Sequence, residues 1–542
     1  MLFNLAKKNT LIVEDFAEFA RSVRAMLYNM GAFQVDIVYN AEDGIEACQA
    51  RKYDIVLSDY NLGPKKDGQQ LLEELSKYHL LKSNGVFLML TAENTSAMVM
   101  GAVEYQPDSY IAKPFTGNLL KSRLQKAIEK KDALLPISRS MANKNWSQAL
   151  EQIQQVIEQH PKYRMSCLRA QYEALKELKK LDQALELVTQ VVSQRSIPWA
   201  MLAVGEIYYL RDNFDKAINI FKNMTEEFPM ALVGYDWLAR ALQKVGQPID
   251  AQTTLMKAIE KSPKALQRQK KLGAIAEQNN DLDVMTRAYR SAVKYSANSA
   301  FSSPDEYIKL TNALSRKMAQ DPNVAADKII NEAELVFEQL EKSFSTNGST
   351  GLRSSVAHAA FCKVSKEEEK LQKYLAMTEK RFQEVDEQLS AKISLELSSS
   401  LKDLGQSELA EKIINEAIQQ NIDDPDFIQK ASKLTTNQEL IKKIKRANQY
   451  SNKAIGYFKN KKYQAAIKHF DNAYKLTSSN ININLNYIQS LLKQAQIDND
   501  PIDTIQLADK ILTKMPPLTF SDKRFARYSE LSRLTQLMLQ KR

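Results

Sequence analysis

Residues 54–68 read DIVLSDYNLGPKKDG, and this stretch decides the fold. Asp54–Leu57 opens a short apolar run that ends on a single acid, Asp59. Turn-forming Asn61, Gly63 and Pro64 follow, and from Gly68 to Tyr78 the pattern is that of an amphipathic helix. A buried strand that passes through a polar loop into a helix is half of a βαβ unit. Working outward, similar runs occur at Thr10–Val13, Val35–Tyr39, Val86–Leu90 and Tyr110–Ala112. Helical patterns at Phe16–Met30, Ala41–Ala50, Ser96–Glu104 and Gly117–Glu129 alternate with them. Five such alternations predict an α/β doubly wound, five-stranded parallel sheet covered on both faces.

In sheets of this kind ligands sit beyond the carboxyl ends of the strands. Those ends carry Glu14 and Asp15, then Asp59, Thr91 and Lys113. Three carboxylates meeting one ammonium and one hydroxyl repel one another unless a cation intervenes. Oxygen ligands with an open face suit Mg²⁺, which keeps waters and takes up substrate phosphate. Asp59 is then a candidate nucleophile for a phosphoryl group, with Lys113 and the cation offsetting its charge.

Residues 9–130 resemble the receiver (CheY-like) domain of bacterial two-component response regulators. The resemblance rests on the acidic pair in LIVEDF, on LSDYNLG, on Asp67-Gly68, on LTA and on YIAKPF. It implies that Asp59 is the phosphoacceptor and that Asp15 ligates Mg²⁺ directly, with Glu14 acting through water. It also implies a metal contact from the backbone carbonyl of Asn61, a phosphoryl contact from Lys113, and switch roles for Thr91 and Tyr110. The loop NLGPKKDG departs from the family's usual form, which has Met-Pro before Asp-Gly.

After Lys130 the strand pattern stops and a helical period begins. Small residues recur at Ala149, Ala184, Ala217 and Ala251, spaced 35, 33 and 34 apart, and Met285 continues the series. Gly205, Ala239 and Gly273 stand twelve residues before Ala217, Ala251 and Met285. The pattern resembles the tetratricopeptide repeat, two helices in 34 residues. It predicts an all-α solenoid behind the receiver. Further units are expected around GYFKNKKYQAAIKHFDNAYKL and SLKDLGQSELAEKIINEAI. The expected organisation is a receiver at 1–130 and repeats at 131–297. Degenerate repeats or a helical insert fill 298–395, and a helical region with further repeats fills 396–542. A separate helical domain over 298–542 stays open as an alternative.

Composition excludes several classes. The 542 residues include 15 Gly and 15 Pro, too few for a turn-rich all-β fold or low-complexity disorder. No glycine precedes a lysine, so there is no phosphate-binding GxxxxGK loop, and GxGxxG, HExxH and GxSxG are absent. His79, His160, His358 and His469 are scattered and read as surface or packing residues. Trp146, Trp199 and Trp237 read as packing residues too. Three lone cysteines fit free thiols in the cytoplasm. No membrane span or signal peptide is expected.

The net charge is +10, and residues 433–475 hold 11 Lys and Arg against Glu439 and Asp471. Such a concentration suits nucleic acid or an acidic protein, or is simply a solvated face. The expected function is that of a response regulator that accepts phosphate from a sensor histidine kinase or phosphotransfer protein. Its output is protein binding by the repeats, with no enzymatic output of its own, and a homodimer through the receiver is compatible with this. The alternatives are a phosphorylation-gated nucleic-acid binder and a phosphate sink that antagonises a kinase.

Overall fold

The computed structural model describes residues 5–92, 107–320, 326–498, 501–515, 518 and 522–540. The chain forms two compact units, Met1–Phe344 and Ser345–Arg542. The first unit begins with a parallel sheet of β1 (Asn9–Val13), β2 (Gln34–Val38), β3 (Ile55–Asp59), β4 (Val86–Thr91) and β5 (Ser109–Ala112), in the order β2-β1-β3-β4-β5. All four pairings are parallel. Reversal of strand order between β1 and β3 opens a crevice at their carboxyl ends.

Alternation along each strand sends side chains to two cores. On one face Ile12, Leu57 and Leu88 meet Val23 and Leu27 of α1 (Ala17–Tyr28) and Leu120 and Leu124 of α4 (Gly117–Ala142). On the other, Leu11, Val56 and Phe87 meet Ile45 of α2 (Ala41–Ala50) and Leu71 and Leu75 of α3 (Gly68–Lys77). The expected helix Ser96–Glu104 lies outside the described residues. The helix α4 runs thirteen residues beyond the expected Glu129, with Pro136 in its interior. No glycine interrupts that stretch, and the helix carries Pro136 through although proline removes an intrahelical hydrogen bond.

The rest of the first unit is helical. Each helix packs chiefly on its neighbours in sequence, and alternate helices also touch. The second helices of successive pairs start at Trp146, Leu181, Phe214, Pro248 and Leu282, spaced 35, 33, 34 and 34 apart. Ala149, Ala184, Ala217, Ala251 and Met285 are fully buried where the paired helices meet. At Gly205 the approach is closest: a Cβ there would lie 2.3 Å from the Phe221 ring, and one on Gly273 would lie 2.7 Å from Tyr289.

One turn joins each of these five pairs. Lys144, Lys179, Asp212, Gly246 and Asn280 all have positive φ, and each stands two residues before its second helix. The next residue donates its N–H to the carbonyl five positions back, as Lys180 does to Leu175 at 2.9 Å and Gln247 to Leu242 at 2.9 Å. This closes the first helix with a left-handed cap of the Schellman type.

The second unit is all helical among its described residues. Its cores gather around Leu352, Leu397 and Leu401, around Ile414, Ile418 and Ile444, and around Phe470, Tyr487 and Ile488. The same cap recurs here at Lys366, Gly405 and Lys461. Glu367, Gln406 and Lys462 bond back to Cys362, Leu401 and Tyr457 at 3.0, 2.8 and 3.0 Å. Separations between these caps are 39 and 56 residues, unlike the even spacing in the first unit. Among the described residues no helix is long and apolar enough to cross a membrane.

Candidate functional site

The strand ends deliver the expected residues to one place. Glu14 follows β1, Asp59 closes β3, Thr91 closes β4 and Lys113 follows β5. Register sets their depth, since Val13 pairs with Ser58 and Asp59 with Leu90, while Lys113 donates its N–H to the carbonyl of Thr91 at 2.7 Å. Glu14 is 1% exposed and Asp59 8%, whereas Asp15 is open to solvent.

The Lys113 ammonium bridges the two buried acids. Its Nζ lies 2.8 Å from Glu14 Oε2, 3.1 Å from Glu14 Oε1 and 2.9 Å from Asp59 Oδ2. It also sits 4.3 Å from the centroid of the Phe19 ring, which shields it from water on that side. The other oxygen of Asp59, Oδ1, accepts the backbone N–H of Tyr60 at 2.7 Å. Burial pushes the Glu14 carboxyl above its usual range. The Lys113 bond opposes that rise, and the Asp59 charge adds to it.

Carboxylate oxygens of Glu14, Asp15 and Asp59 lie within 4.8 Å of one another, and among the described residues no other cluster of this kind is present. Two oxygens on one Mg²⁺ stand at most about 4.2 Å apart, so a small side-chain rotation, or one bond through water, fits the group to the ion. Three carboxylates against one ammonium leave about two negative charges, which a divalent cation matches. Receiver domains bind Mg²⁺ at such an acidic pocket. Asn61, exposed two residues past Asp59, lies on the loop at the same end of the sheet.

Gly68 is required here. A Cβ on it would fall 2.1 Å from the carbonyl oxygen of Asp59, and its N–H donates to the carbonyl of Tyr60 at 2.8 Å. The residue before it, Asp67, caps α3 by accepting the N–H of Gln70 at 2.8 Å, and the Gln70 side chain reaches back to the Asp67 N–H at 2.9 Å. The loop after β3 is thus closed onto the backbone of Asp59, although its 61–66 segment departs from the family's usual form. Tyr110, in β5, packs against the α2/α3 core. Its hydroxyl is buried with no hydrogen-bond partner among the described residues, and burial raises its pKa.

None of the four histidines enters the site. His358 and His469 instead stack on Tyr374 and Tyr457. Trp237 packs between Tyr209 and Phe221, as a packing residue should. Sequence reasoning missed Phe19 and Tyr60, since an aromatic ring beside a lysine or a backbone donor beside an acid leaves no spacing signal.

Comparison with known proteins agrees with this geometry. The family described as "Response regulator receiver domain" matches residues 10–125. The chain is 34% identical over 123 residues to the chemotaxis protein CheY-3 of Vibrio cholerae, covering 22% of this chain and 91% of that protein. It is 30% identical over 115 residues to the transcriptional regulatory protein DltR of Streptococcus agalactiae, covering 21% of this chain and 49% of the relative. A solved CheY-like receiver domain from Methanospirillum hungatei aligns at 23% identity and a TM-score of 0.21, over 23% of this chain and 96% of that one. Through residues 10–125 the chain belongs to the response regulator receiver family, and this implies phosphorylation-controlled two-component signalling with a histidine kinase or phosphotransfer protein as donor.

Proposed function

We propose that Asp59 accepts the phosphoryl group and that the helical remainder delivers the output by binding protein. The observation that carries the first half is the Lys113 bridge between Glu14 and Asp59 beside Asp15. In the transfer, a carboxylate oxygen of Asp59 attacks the phosphorus of a phosphohistidine. The P–N bond breaks, its electron pair returns to the imidazole, and Asp59 becomes an acyl phosphate. Asp15, Asp59 and the Asn61 carbonyl, with Glu14 through water, would hold Mg²⁺, which would supply positive charge to the phosphoryl oxygens. The Lys113 ammonium turns from the carboxylates to those oxygens, Thr91 offers its hydroxyl, and Tyr110 repositions in response.

The repeated cap, the 33–35-residue spacing and the close glycine contacts support reading 131–297 as tetratricopeptide repeats. The caps at Lys366, Gly405 and Lys461 support further units of that type in the second unit. Glu206 stands where a clamp for C-terminal carboxylates would need Asn. It is buried against the Tyr172 hydroxyl at 2.5 Å and Lys176 at 3.3 Å, so the partner is an internal segment or a folded surface. The buried thiols of Cys48, Cys167 and Cys362, none of them in a disulfide, favour work in the cytoplasm. Apart from its own phosphorylation and dephosphorylation the protein is a signalling component and not an enzyme.

A second reading, phosphorylation-gated binding of nucleic acid, is favoured by the helix Gln438–Lys459. It buries Ile441, Ile444, Ala447 and Ala454 and leaves Lys442, Lys445, Arg446 and Lys453 exposed. Among the described residues these four make no ion pair within 4.0 Å, and basic faces of this kind bind phosphates with strong salt dependence. The test of the main reading is labelling with a small-molecule phosphodonor. One base-labile phosphate per chain is expected with Mg²⁺, little after chelation, and none in Asp59→Asn. Equal labelling of that variant refutes the assignment.

A further inference from the structure

The receiver touches the helical array a second time, far from the covalent junction at α4. Glu73, in the middle of α3, is a carboxylate only 5% exposed. It has no cationic partner within 4.0 Å among the described residues. Instead its Oε1 accepts the hydroxyl of Ser299 and the backbone N–H of Phe301, the latter at 3.3 Å. One turn on, Lys77 Nζ donates to the carbonyl of Ala300 at 2.6 Å and lies 5.1 Å from the Phe301 ring centroid. From the other side, Asn298 Nδ2 donates to the carbonyl of Lys65, within the acceptor loop, at 2.9 Å. Three receiver groups thus grip four consecutive array residues, 298–301.

The segment joins the helices Leu282–Ser296 and Pro304–Gln320, and its far end is tied into the array. Ser303 donates to Glu306 at 2.5 Å, and buried Glu306 takes Lys270 at 2.5 Å. On the receiver side the grip is tied to the phosphoacceptor. The first residue of α3, Gly68, lies against the carbonyl of Asp59 and donates its N–H to the Tyr60 carbonyl at 2.8 Å, which couples the start of α3 to the end of β3. The cleft left between Asp67, Gln70, Lys264 and Tyr295 is about 60 Å³, enough for a few waters and no ligand of size.

We propose that residues 298–303 form a latch on α3, closed when Asp59 is unmodified and released when Asp59 is phosphorylated. The proposal rests on the reading of Asp59 as phosphoacceptor. It assigns output to α3 and the acceptor loop. Direction follows from geometry: the Lys77–Ala300 and Asn298–Lys65 bonds are already formed at 2.6 and 2.9 Å, so a shift of α3 away from the segment breaks them, and a buried carboxylate that loses its donors must find water. Freed, the segment alters the packing of the two helices it joins, which is a change of shape in the binding array. Linkage makes the effect reciprocal, so that opening the latch favours the phosphorylated receiver.

The test is hydrogen exchange on the full chain, read by peptide mass, with Mg²⁺ alone and with Mg²⁺ plus beryllofluoride as phosphoryl mimic. Peptides covering 59–68 report occupation of the acceptor site, and peptides covering 298–303 report the latch. Expected are protection at 59–68 and exchange at 298–303 faster by about fivefold or more, the low end of ordinary coupling. Lys77→Ala combined with Asn298→Ala changes only surface groups. It should give fast exchange at 298–303 without the mimic, with little further gain on adding it. Protection at 59–68 with unchanged or slower exchange at 298–303 overturns the latch and leaves the acceptor reading intact. No protection at 59–68 refutes the acceptor reading, and phosphate control of the latch falls with it.

Discussion

Replacing Gly205 by alanine tests whether the helices pair as closely as described. An added Cβ would stand 2.3, 2.6 and 2.8 Å from three carbons of the Phe221 ring. Comfortable carbon contacts are about 3.5–4.0 Å, so ring and helix must part by about 1.2 Å. The ring has nowhere to retreat: Phe221 is fully buried, and Trp237 stacks on it at 6.0 Å between centroids. Overpacking of this kind costs about 1–3 kcal/mol. Alanine in a helix interior returns about 1 kcal/mol. The net loss is then about 0–2 kcal/mol, or a drop of up to about 3 °C in the transition midpoint for a unit of this size. Tryptophan fluorescence is the assay, because Trp237 lies on the affected ring and the chain has only three tryptophans. Adding Phe221→Leu should recover part of the loss, since the pair couples through one contact. A variant more stable than the parent by about 1 kcal/mol would refute the pairing, since propensity alone would then be acting.

Further outcomes follow from other elements. Lys179→Gly should stabilise the first unit by about 0.5–1 kcal/mol in urea melts, because a side chain in the left-handed region is strained and glycine is not. Ala217→Arg should prevent normal packing of its helix pair, visible as lost helical circular dichroism, because Ala217 is fully buried. His358 is pushed down to about 4, first by burial, with its bond to the Ser354 carbonyl opposing. The unfolded chain therefore takes up the proton first as pH falls. Stability from this group is whole above pH about 6.5 and is lost between there and about 4, a total of about 3 kcal/mol. His358→Gln should flatten that part of the stability profile, and an unchanged slope would count against the burial argument.

The receiver was legible because its signals are local. Continuous apolar strands end on Glu14, Asp59 and Thr91, and strand topology alone brings those ends together. The left-handed caps were not legible, because Lys144, Lys179, Asp212 and Asn280 fill positions where glycine would have been read. Tertiary packing fixes the backbone there and overrides residue preference. Beyond 345 two of the three caps, at Gly405 and Lys461, fall within the stretches 400–418 and 456–476 that the sequence marked, whereas the one at Lys366 lies where no period was read. The grip of Glu73 and Lys77 on 299–301 joins residues more than 220 positions apart and leaves no periodic trace. Within the site, the acids and lysine could be named from strand ends. The Phe19 shield and the Tyr60 amide depend on side-chain and backbone directions that no spacing encodes.

The central claim is that phosphate resides on Asp59. Borohydride reduction of the phosphodonor-treated chain, followed by peptide sequencing, locates it directly, because reduction of an aspartyl phosphate leaves homoserine in its place. The account predicts homoserine at position 59 alone, dependent on Mg²⁺. Homoserine at another acid, or none after stoichiometric labelling, would contradict it.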